Sequence, residues 1–543
     1  MKILPELGGD DGPVIDFGGS NRQAAGAGFF PGGTFRGSTF PDRNSLRRSF
    51  QDKFYIPIHS VAGGPKKAAG HPPSARKGKD SPMINPDVLN KFSSIVGPER
   101  LKTSKEDLLT YAYDAYVQEF LPDAILFPKS PEEVSQIMKV ASAQKIPVTP
   151  RGAGSGLAAG SLAKNGGVIL CFTMMNRILE INTANRYAVV EPGVVISEFQ
   201  KEVEKLNLFY PPDPGSATVA TMGGAVLMNA GGMRGVKYGV TRDYVLGLEI
   251  VLPSGEVMKT GGLTTKDVTG YDLTRLICGS EGTLALVTRI TVRLLPKPKS
   301  RRTLQAIYNR IDDAGNTVTK IIEAGIIPAT LELMDKSIIK ALEDSAHLGL
   351  PLDAEAILLI DVDGDLETVE KQASLVADFC KSLGARDVRV SQSEKENEQL
   401  WVARRSAFGA VARMRPTCVI EDATVPVSYL TSAIKKVIEI SERNRVQIAV
   451  LAHAGDGNLH PLVLCDQRDK GEMERVEKAM DEIVDYAMSV GGTLSGEHGI
   501  GIAKAKYLPK QLSGTSLTMM RAIKKAFDPQ GILNPGSFLE YAA

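Results

Sequence analysis

The stretch PVTPRGAGSGLAAGSL, Pro147 to Leu162, places Gly154, Gly156 and Ala159 in the spacing G-x-G-x-x-A. That spacing invites a dinucleotide-binding Rossmann domain, in which the glycine turn opens a helix whose N-terminus receives the pyrophosphate. The continuation, SLAKNGGVIL, passes instead through Asn165-Gly166-Gly167 into another β-forming run, which leaves no room for that helix. The chain is therefore read as α+β and not as a doubly wound Rossmann fold. The loop keeps bare backbone N–H groups that can approach an anion closely, with Arg151 beside them. A simple turn has the same composition, so this loop by itself leaves both readings open.

Two further glycine-rich stretches lie downstream. PPDPGSATVATMGGAVLMNAGGMRGVKYG carries Gly223, Gly224, Gly231, Gly232 and Gly239, and CGSEGTLALVT carries Gly279 and Gly282. Three such loops in one region suit several close backbone approaches to a single extended ligand, longer than a mononucleotide. Between them run the short β segments GGVILCF, YAVVEPG, GLEIVLPSG and LALVTRITVRLL. Ser130-Pro131-Glu132-Glu133 has the S-x-x-E capping spacing with Pro at the first helical position, which predicts a helix over EEVSQIMKVASAQK. Beyond about residue 300 the style changes to strand-and-helix units: AILLIDVDG precedes Leu366, Val369, Ala373, Val376 and Phe379 at helical spacing. Met473, Val476, Met480, Ile483 and Met488 mark another helix, stopped by Gly491-Gly492.

Bulk properties narrow the function. The 64 Lys+Arg and 63 Asp+Glu leave a net charge of +1, which offers no general attraction for nucleic acid or an anionic membrane. Cys171, Cys278, Cys380, Cys418 and Cys465 include no C-x-x-C pair. That excludes the usual iron–sulfur spacings and a disulfide framework, and fits a reducing cytoplasm. No apolar run approaches the roughly 18 residues of a membrane helix. A cytoplasmic protein is expected, peripheral at the inner face of the membrane at most.

The second telling stretch is LAHAGDGNLHPL, Leu451 to Leu462. Asp-Gly between β-forming runs is a hairpin signal. With Asp456-Gly457 as a two-residue turn, Gly455 opposes Asn458, Ala454 opposes Leu459, and His453 opposes His460. Both imidazoles then stand on one face, about 5 Å apart at Cβ, within reach of one ion. A hydrogen-bonded structural pair of histidines fits equally well. A third ligand is available in GGTLSGEHGIG, where Glu497 and His498 are adjacent between glycines. Two imidazoles and a carboxylate form a common shell for Zn²⁺, Mn²⁺ or Fe²⁺. Neighbouring side chains of an extended backbone diverge, so one of Glu497 and His498 is expected to ligate while the other serves another role.

Seven motifs in order, PRGAGSGLAAG, PPDPGS, TMGGAVLMNAGG, GSEGTL, HAGDGNLHPL, SGEHGIG and AFDPQGILNPG, make the chain from Pro86 to Phe538 resemble the flavoprotein oxidoreductases of the vanillyl-alcohol oxidase type. The resemblance is to the flavin subunit of glycolate oxidase and the FAD-linked D-lactate dehydrogenases. It implies a bipartite FAD-binding domain, a smaller α+β cap and a C-terminal helical segment. The expected division is a disordered or mis-annotated tail at 1–82, the FAD domain at 83–298, the cap at 299–500, and a segment returning to the FAD domain at 501–543. Implied pyrophosphate contacts are Arg151, Gly152, Ala153, Gly154, Ser155, Gly156 and Leu157. Further FAD contacts are Pro214, Gly215, Thr221, Gly223, Gly224, Asn229, Gly231 and Glu281. The implied metal ligands are His453, His460 and Glu497, with His498 as base and Arg404 as a clamp for the substrate carboxylate, Arg405 being its rival. Some relatives attach flavin through a histidine in the first glycine loop; this loop has none, so non-covalent FAD is implied.

The implied reaction is metal-assisted hydride transfer from a small 2-hydroxy acid to FAD. In VIEDATVP, Ile420 stands where 2-hydroxyglutarate dehydrogenases carry a second cation, which favours a monocarboxylate such as D-lactate or glycolate. With neither a cluster motif nor a nicotinamide fingerprint, a separate acceptor is expected: an iron–sulfur subunit, an electron-transferring flavoprotein or a cytochrome. The competing readings are a transferase like alkyl-dihydroxyacetonephosphate synthase and a non-catalytic flavin subunit of a complex. The Gly-, Pro- and basic-rich tail lacks apolar periodicity, and Met83 opens MINPDVLNKFSSIVG as a folded protein would begin. Protein produced from Met83 is expected to keep full turnover, and a loss of activity on truncation would show that the tail belongs to the working enzyme.

Overall fold

The computed structural model describes residues 84–540; the expectations for the tail and for the last three residues lie outside them. The described chain starts at helix Pro86–Val96, capped by Asn85, whose side chain accepts the Asp87 N–H. Val88, Phe92 and Val96 recur at every fourth position, so one stripe of this helix is buried. It packs on helix Pro131–Gln144, which begins where the capping signal predicts. Ser130 Oγ accepts the Glu133 N–H at 3.3 Å. The reciprocal half of the expected capping box does not form. The Glu133 carboxylate takes the Lys129 N–H and a two-point ion pair from Arg100 instead, because a charged guanidinium donor outcompetes a neutral N–H.

Strands Ala124–Leu126, Val168–Cys171 and Val148–Arg151 lie parallel, with Leu101–Lys102 antiparallel at the edge. All three parallel strands are fully buried, as parallel strands covered on both faces must be. Between Arg151 and Val168 the chain bends through the glycine loop without a helix, which confirms the exclusion of a Rossmann turn. A second, antiparallel sheet runs in the order Ile178–Asn182, Tyr187–Val190, Leu286–Arg293, Val245–Val251, Val257–Gly261. Leu208–Phe209 pairs separately with Leu295–Pro296.

The residues from 300 to 465 form one antiparallel sheet. Its order is Ala385–Val390, Ser300–Tyr308, Ala356–Gly364, Thr330–Asp335, Gln447–His453, Asn458–Cys465 and Thr417–Ile420, with Ala423–Thr424 also joined to Asn458–Cys465. Leu331, Leu333, Ala452 and Val463 point to one face, beneath helices Ile311–Glu323, Leu366–Ser382, Leu430–Asn444 and Lys470–Ser489. Met334, Ala449, Leu451, Leu462 and Leu464 point to the other, beneath helices Lys336–Ala346 and Glu394–Val411. Strand alternation carries that second row onward to Glu332, His453 and His460.

The hairpin register corrects the sequence expectation. His453 pairs with Asn458, Ala452 with Leu459, and Leu451 with His460. His453 and His460 are thus diagonal neighbours and not directly opposed. Ala454 to Gly457 form a four-residue turn, in which the Asp456 and Gly457 N–H groups both point to the His453 carbonyl. The opposing positions are displaced by an even number of residues, so the two imidazoles keep their common face. Gly457 sits at φ +79, and a Cβ there would lie 2.0 Å from the Val425 carbonyl oxygen. Gly457→Ala combines a left-handed backbone penalty of about 1–2 kcal/mol with a backbone clash. It is expected to destabilise the protein by more than about 2 kcal/mol in urea unfolding.

Candidate active site

Four acceptor and donor atoms meet at the open end of the large sheet. Nε2 of His460 lies 3.2 Å from Glu497 Oε1, Nε2 of His453 3.4 Å, and Nε2 of His498 3.6 Å. His453 and His460 meet edge to face at 4.9 Å between ring centroids, and His460 stacks on His498 at 5.1 Å. The structure thus brings together the three proposed ligands and the proposed base. The expectation that Glu497 and His498 diverge does not hold: the Ser495–Gly499 backbone is bent and not extended, so both side chains turn inward.

Each ring is backed by an acid. His453 Nδ1 lies 2.6 Å from Glu332 Oε1, an arrangement that fixes the ring's orientation and turns Nε2 toward the site. Burial by itself would raise the Glu332 carboxyl; His453 and Arg404 overcome it and hold the pKa below the ordinary value. His453 is pushed well above the usual histidine range, since Glu332 and Glu497 outweigh its burial. Glu497 is held well below the carboxylate range, its burial outweighed by His453 and His460. Burial pushes His498 down to about 4 against the opposing pull of Asp422, which leaves this imidazole neutral at neutral pH.

Arg404 donates through Nε and Nη2 to Glu332 Oε2, at 2.8 and 2.7 Å. Its guanidinium therefore already holds a carboxylate, because a fully buried Glu332 requires a counter-charge. Arg405 pairs with Glu398 on the half-exposed outer surface of the same helix. Sequence reasoning missed Glu332, Asp422 and Lys504. All three are buried, and Lys504 ion-pairs with Glu421 at 3.1 Å. Glu332 was legible only as the lone acid inside the apolar run TLELM; Lys504 had no local signal.

The glycine loops close on this cluster from the other side. Arg151 lies buried beneath the first loop, its Nη2 donating to the Tyr113 carbonyl while Nη1 has no hydrogen-bond partner among the described residues. Gly152 faces Thr221 so closely that a Cβ would stand 2.3 Å from its hydroxyl, whereas Gly156 and Gly215 face open space. Ala153, Ser155, Leu157 and Pro214 flank those glycines. Thr221 caps helix Met222–Met228, Gly223 and Gly224 form its first turn, and Asn229 ends it in the left-handed conformation. A Cβ on Gly231 would stand 2.9 Å from that of Glu497. Glu281, at φ +53, accepts the N–H groups of Ile500 and Gly501 at 2.7 Å each, which ties the third loop to the segment that carries Glu497 and His498. An orphaned buried guanidinium nitrogen beside open glycine backbone suits an anion such as a pyrophosphate.

Comparison with known proteins shows the family. The family "FAD linked oxidases, C-terminal domain" matches residues 297–538, and "FAD binding domain" matches residues 122–261. Glycolate oxidase subunit GlcD of Bacillus subtilis (strain 168) is 48% identical over 84% of this chain and 97% of its own length. The chain belongs to the FAD-linked oxidases. D-lactate dehydrogenase of Anaerostipes hadrus is 35% identical over 83% of the chain and 97% of its own length. Among solved structures, p-cresol methylhydroxylase with substrate bound superimposes at a TM-score of 0.70 and 18% identity, covering 83% of this chain and 96% of its own. Alkyldihydroxyacetonephosphate synthase gives 0.67 and 17%, covering 84% and 87%. At such identities these two show the fold alone, which is that of the vanillyl-alcohol oxidase type. This FAD-linked oxidase is a flavoprotein oxidoreductase, and among its described residues no helix is long and apolar enough to cross a membrane.

Burial raises the Glu281 carboxyl from 4.5 to about 7, against the two N–H donors that lower it. A carboxyl raised in the folded state contributes stability that is full below its unfolded pKa and is lost as pH rises through about 7. Glu281→Gln is expected to remove about 3 kcal/mol of the pH-dependent change in unfolding free energy between pH 4.5 and 7. Urea unfolding of both proteins across that range checks this.

Proposed function

We propose that this enzyme oxidises a small 2-hydroxy monocarboxylate, glycolate or D-lactate, to the 2-oxo acid, using non-covalent FAD and a divalent metal. In this reading residues 83–298 hold the flavin, 299–500 form the cap, and 501–543 return to the flavin domain. The observation that carries it is the convergence of the His453 and His460 Nε2 atoms on Glu497 Oε1, with neutral His498 beside them. Two imidazoles and one carboxylate, with their ligand atoms within 4.8 Å of one another, fit Zn²⁺, Mn²⁺ or Fe²⁺. When bound, FAD supplies the two-electron acceptor and the ion supplies Lewis acidity toward the substrate oxygens.

The protein's own groups do the rest. Nε2 of His498 receives the hydroxyl proton as the Cα hydrogen leaves with its electron pair, a general-base role open to a neutral imidazole. Glu332 holds His453 in its ligating tautomer, and Arg404 anchors Glu332. Arg404 thus acts on the site through Glu332, and clamping a substrate acid would require it to give up that two-point pair. Ile420 supplies no second cation near the hairpin, which favours a monocarboxylate over 2-hydroxyglutarate. The Arg151 loop, Pro214-Gly215, the Thr221–Gly231 segment and Glu281 cradle the flavin. Electrons leave to a separate protein, in keeping with a relative that is itself named a subunit.

An anaerobic titration across D- and L-2-hydroxy acids tests this by flavin absorbance. Glycolate or D-lactate is expected to bleach the flavin and 2-hydroxyglutarate to leave it oxidised; no bleaching by any hydroxy acid overturns the proposal. His453→Ala or His460→Ala is expected to abolish bleaching while the protein stays yellow, and unchanged turnover would remove the metal from the reaction.

A further inference from the structure

One fully buried acid beside the site has no task in that mechanism. Asp422 Oδ2 accepts the backbone N–H of Glu497 at 3.1 Å, that of His498 at 2.8 Å, and the Ser495 hydroxyl. Among the described residues its other oxygen, Oδ1, has no hydrogen-bond partner, and neither has Nδ1 of His460 nor Nδ1 of His498. These orphaned atoms are neighbours. His460 Nδ1 lies 3.9 Å from Asp422 Oδ1, and His498 Nδ1 lies 3.9 Å from Asp422 Oδ2. On the far side of both rings Nε2 faces Glu497. An imidazole with its hydrogen on Nδ1 presents a lone pair at Nε2.

We infer that Asp422 is a positioning residue for the reaction: one carboxylate sets the tautomer and orientation of both His460 and His498, and so couples a metal ligand to the proton acceptor. The inference rests on the metal-assisted reading above. Both Nδ1 atoms are buried without a hydrogen-bond partner among the described residues, and Asp422 is a carboxylate within 4 Å of each. Glu332 already serves His453 in this way, so with Asp422 every ring of the cluster has a carboxylate behind Nδ1. The buried ammonium of Lys504 lies 3.9 Å from Oδ2 and places a positive charge beside the carboxylate. The three loop donors hold the carboxylate in register with the segment bearing Glu497 and His498. A second ion shared by Asp422, His460 and His498 is the rival use of the same atoms. Each Asp422 oxygen lies beside one ring's Nδ1 while both Nε2 atoms face Glu497, which favours Asp422 itself as the partner of the two Nδ1 atoms.

The test uses the FAD-loaded full chain. Asp422→Asn keeps the shape and one acceptor but removes the charge. It is expected to weaken Zn²⁺ binding, measured by chelator competition, about 10–100-fold, with FAD content and melting temperature near those of the wild type. Its loss of flavin-reduction rate is expected to be non-additive with that of His498→Gln. A purely structural role would lower melting temperature and FAD content without moving the metal affinity, and that result overturns the inference. So does binding of two ions per chain. ¹⁵N-histidine NMR of the wild type gives an independent readout: Nδ1–H tautomers of His460 and His498 support the assignment, and Nε2–H tautomers overturn it. If the wild type binds no divalent ion the metal reading fails, while the tautomer measurement still decides the role of Asp422.

Discussion

Burying a carboxylate among three imidazoles is unfavourable unless every charge has an opposite neighbour, and this requirement organises the whole site. Arg404, Glu332, His453, Glu497 and His460 alternate basic and acidic side chains along one path. Asp422, Lys504 and Glu421 continue the alternation on the other side. Each member desolvates its neighbours and relies on them in turn. Removing one partner of such a pair typically costs about 3–5 kcal/mol, because the other is left buried and uncompensated. The network therefore behaves as a unit that is both a structural element and a chemical site.

The Ser495–Gly501 segment is where the two halves of the described chain meet. Asp422 holds its N-terminal part through Ser495, Glu497 and His498, and Glu281 holds its C-terminal part through Ile500 and Gly501. The Gly501 position also lies against the Ala158 carbonyl of the first glycine loop, with a would-be Cβ only 1.8 Å away. The segment thus has little freedom, and that rigidity aligns His498 with His453, His460 and Glu497. Preorganisation of this kind lowers the cost of placing reacting groups at the moment of reaction.

Much of the architecture was legible because it depends on local pattern. The Ser130 cap, the apolar stripe of Val369, Ala373 and Val376, and the Gly491 stop each encode an element within one or two turns of chain, and each forms as read. The exclusion of a Rossmann turn rested on the residues just C-terminal to Gly154 and Gly156, again a local matter. Errors arose where a local rule met a tertiary competitor. Asp456-Gly457 predicted a two-residue turn, yet the hairpin took a four-residue turn that leaves His453 paired with Asn458. The parity of the strands kept both histidines on one face, so the two rings still meet although the register differs from the expected one. Glu133 likewise left its capping partner for Arg100, a residue 33 positions away.

By itself the sequence determined the helices, the strands, the glycine loops and the residue types able to hold an ion, since these depend on spacing and side-chain chemistry. The seven ordered motifs also carried the family. Only the tertiary structure decided which acids stand behind which rings. Glu332 lies 121 residues from His453, and Asp422 lies 76 from His498, distances over which no periodicity or turn chemistry operates. It also decided that Arg404 faces Glu332. The reason is electrostatic: a buried charge takes the nearest opposite charge in space, and nearness in space is set by sheet order and helix packing, which no short stretch of chain contains.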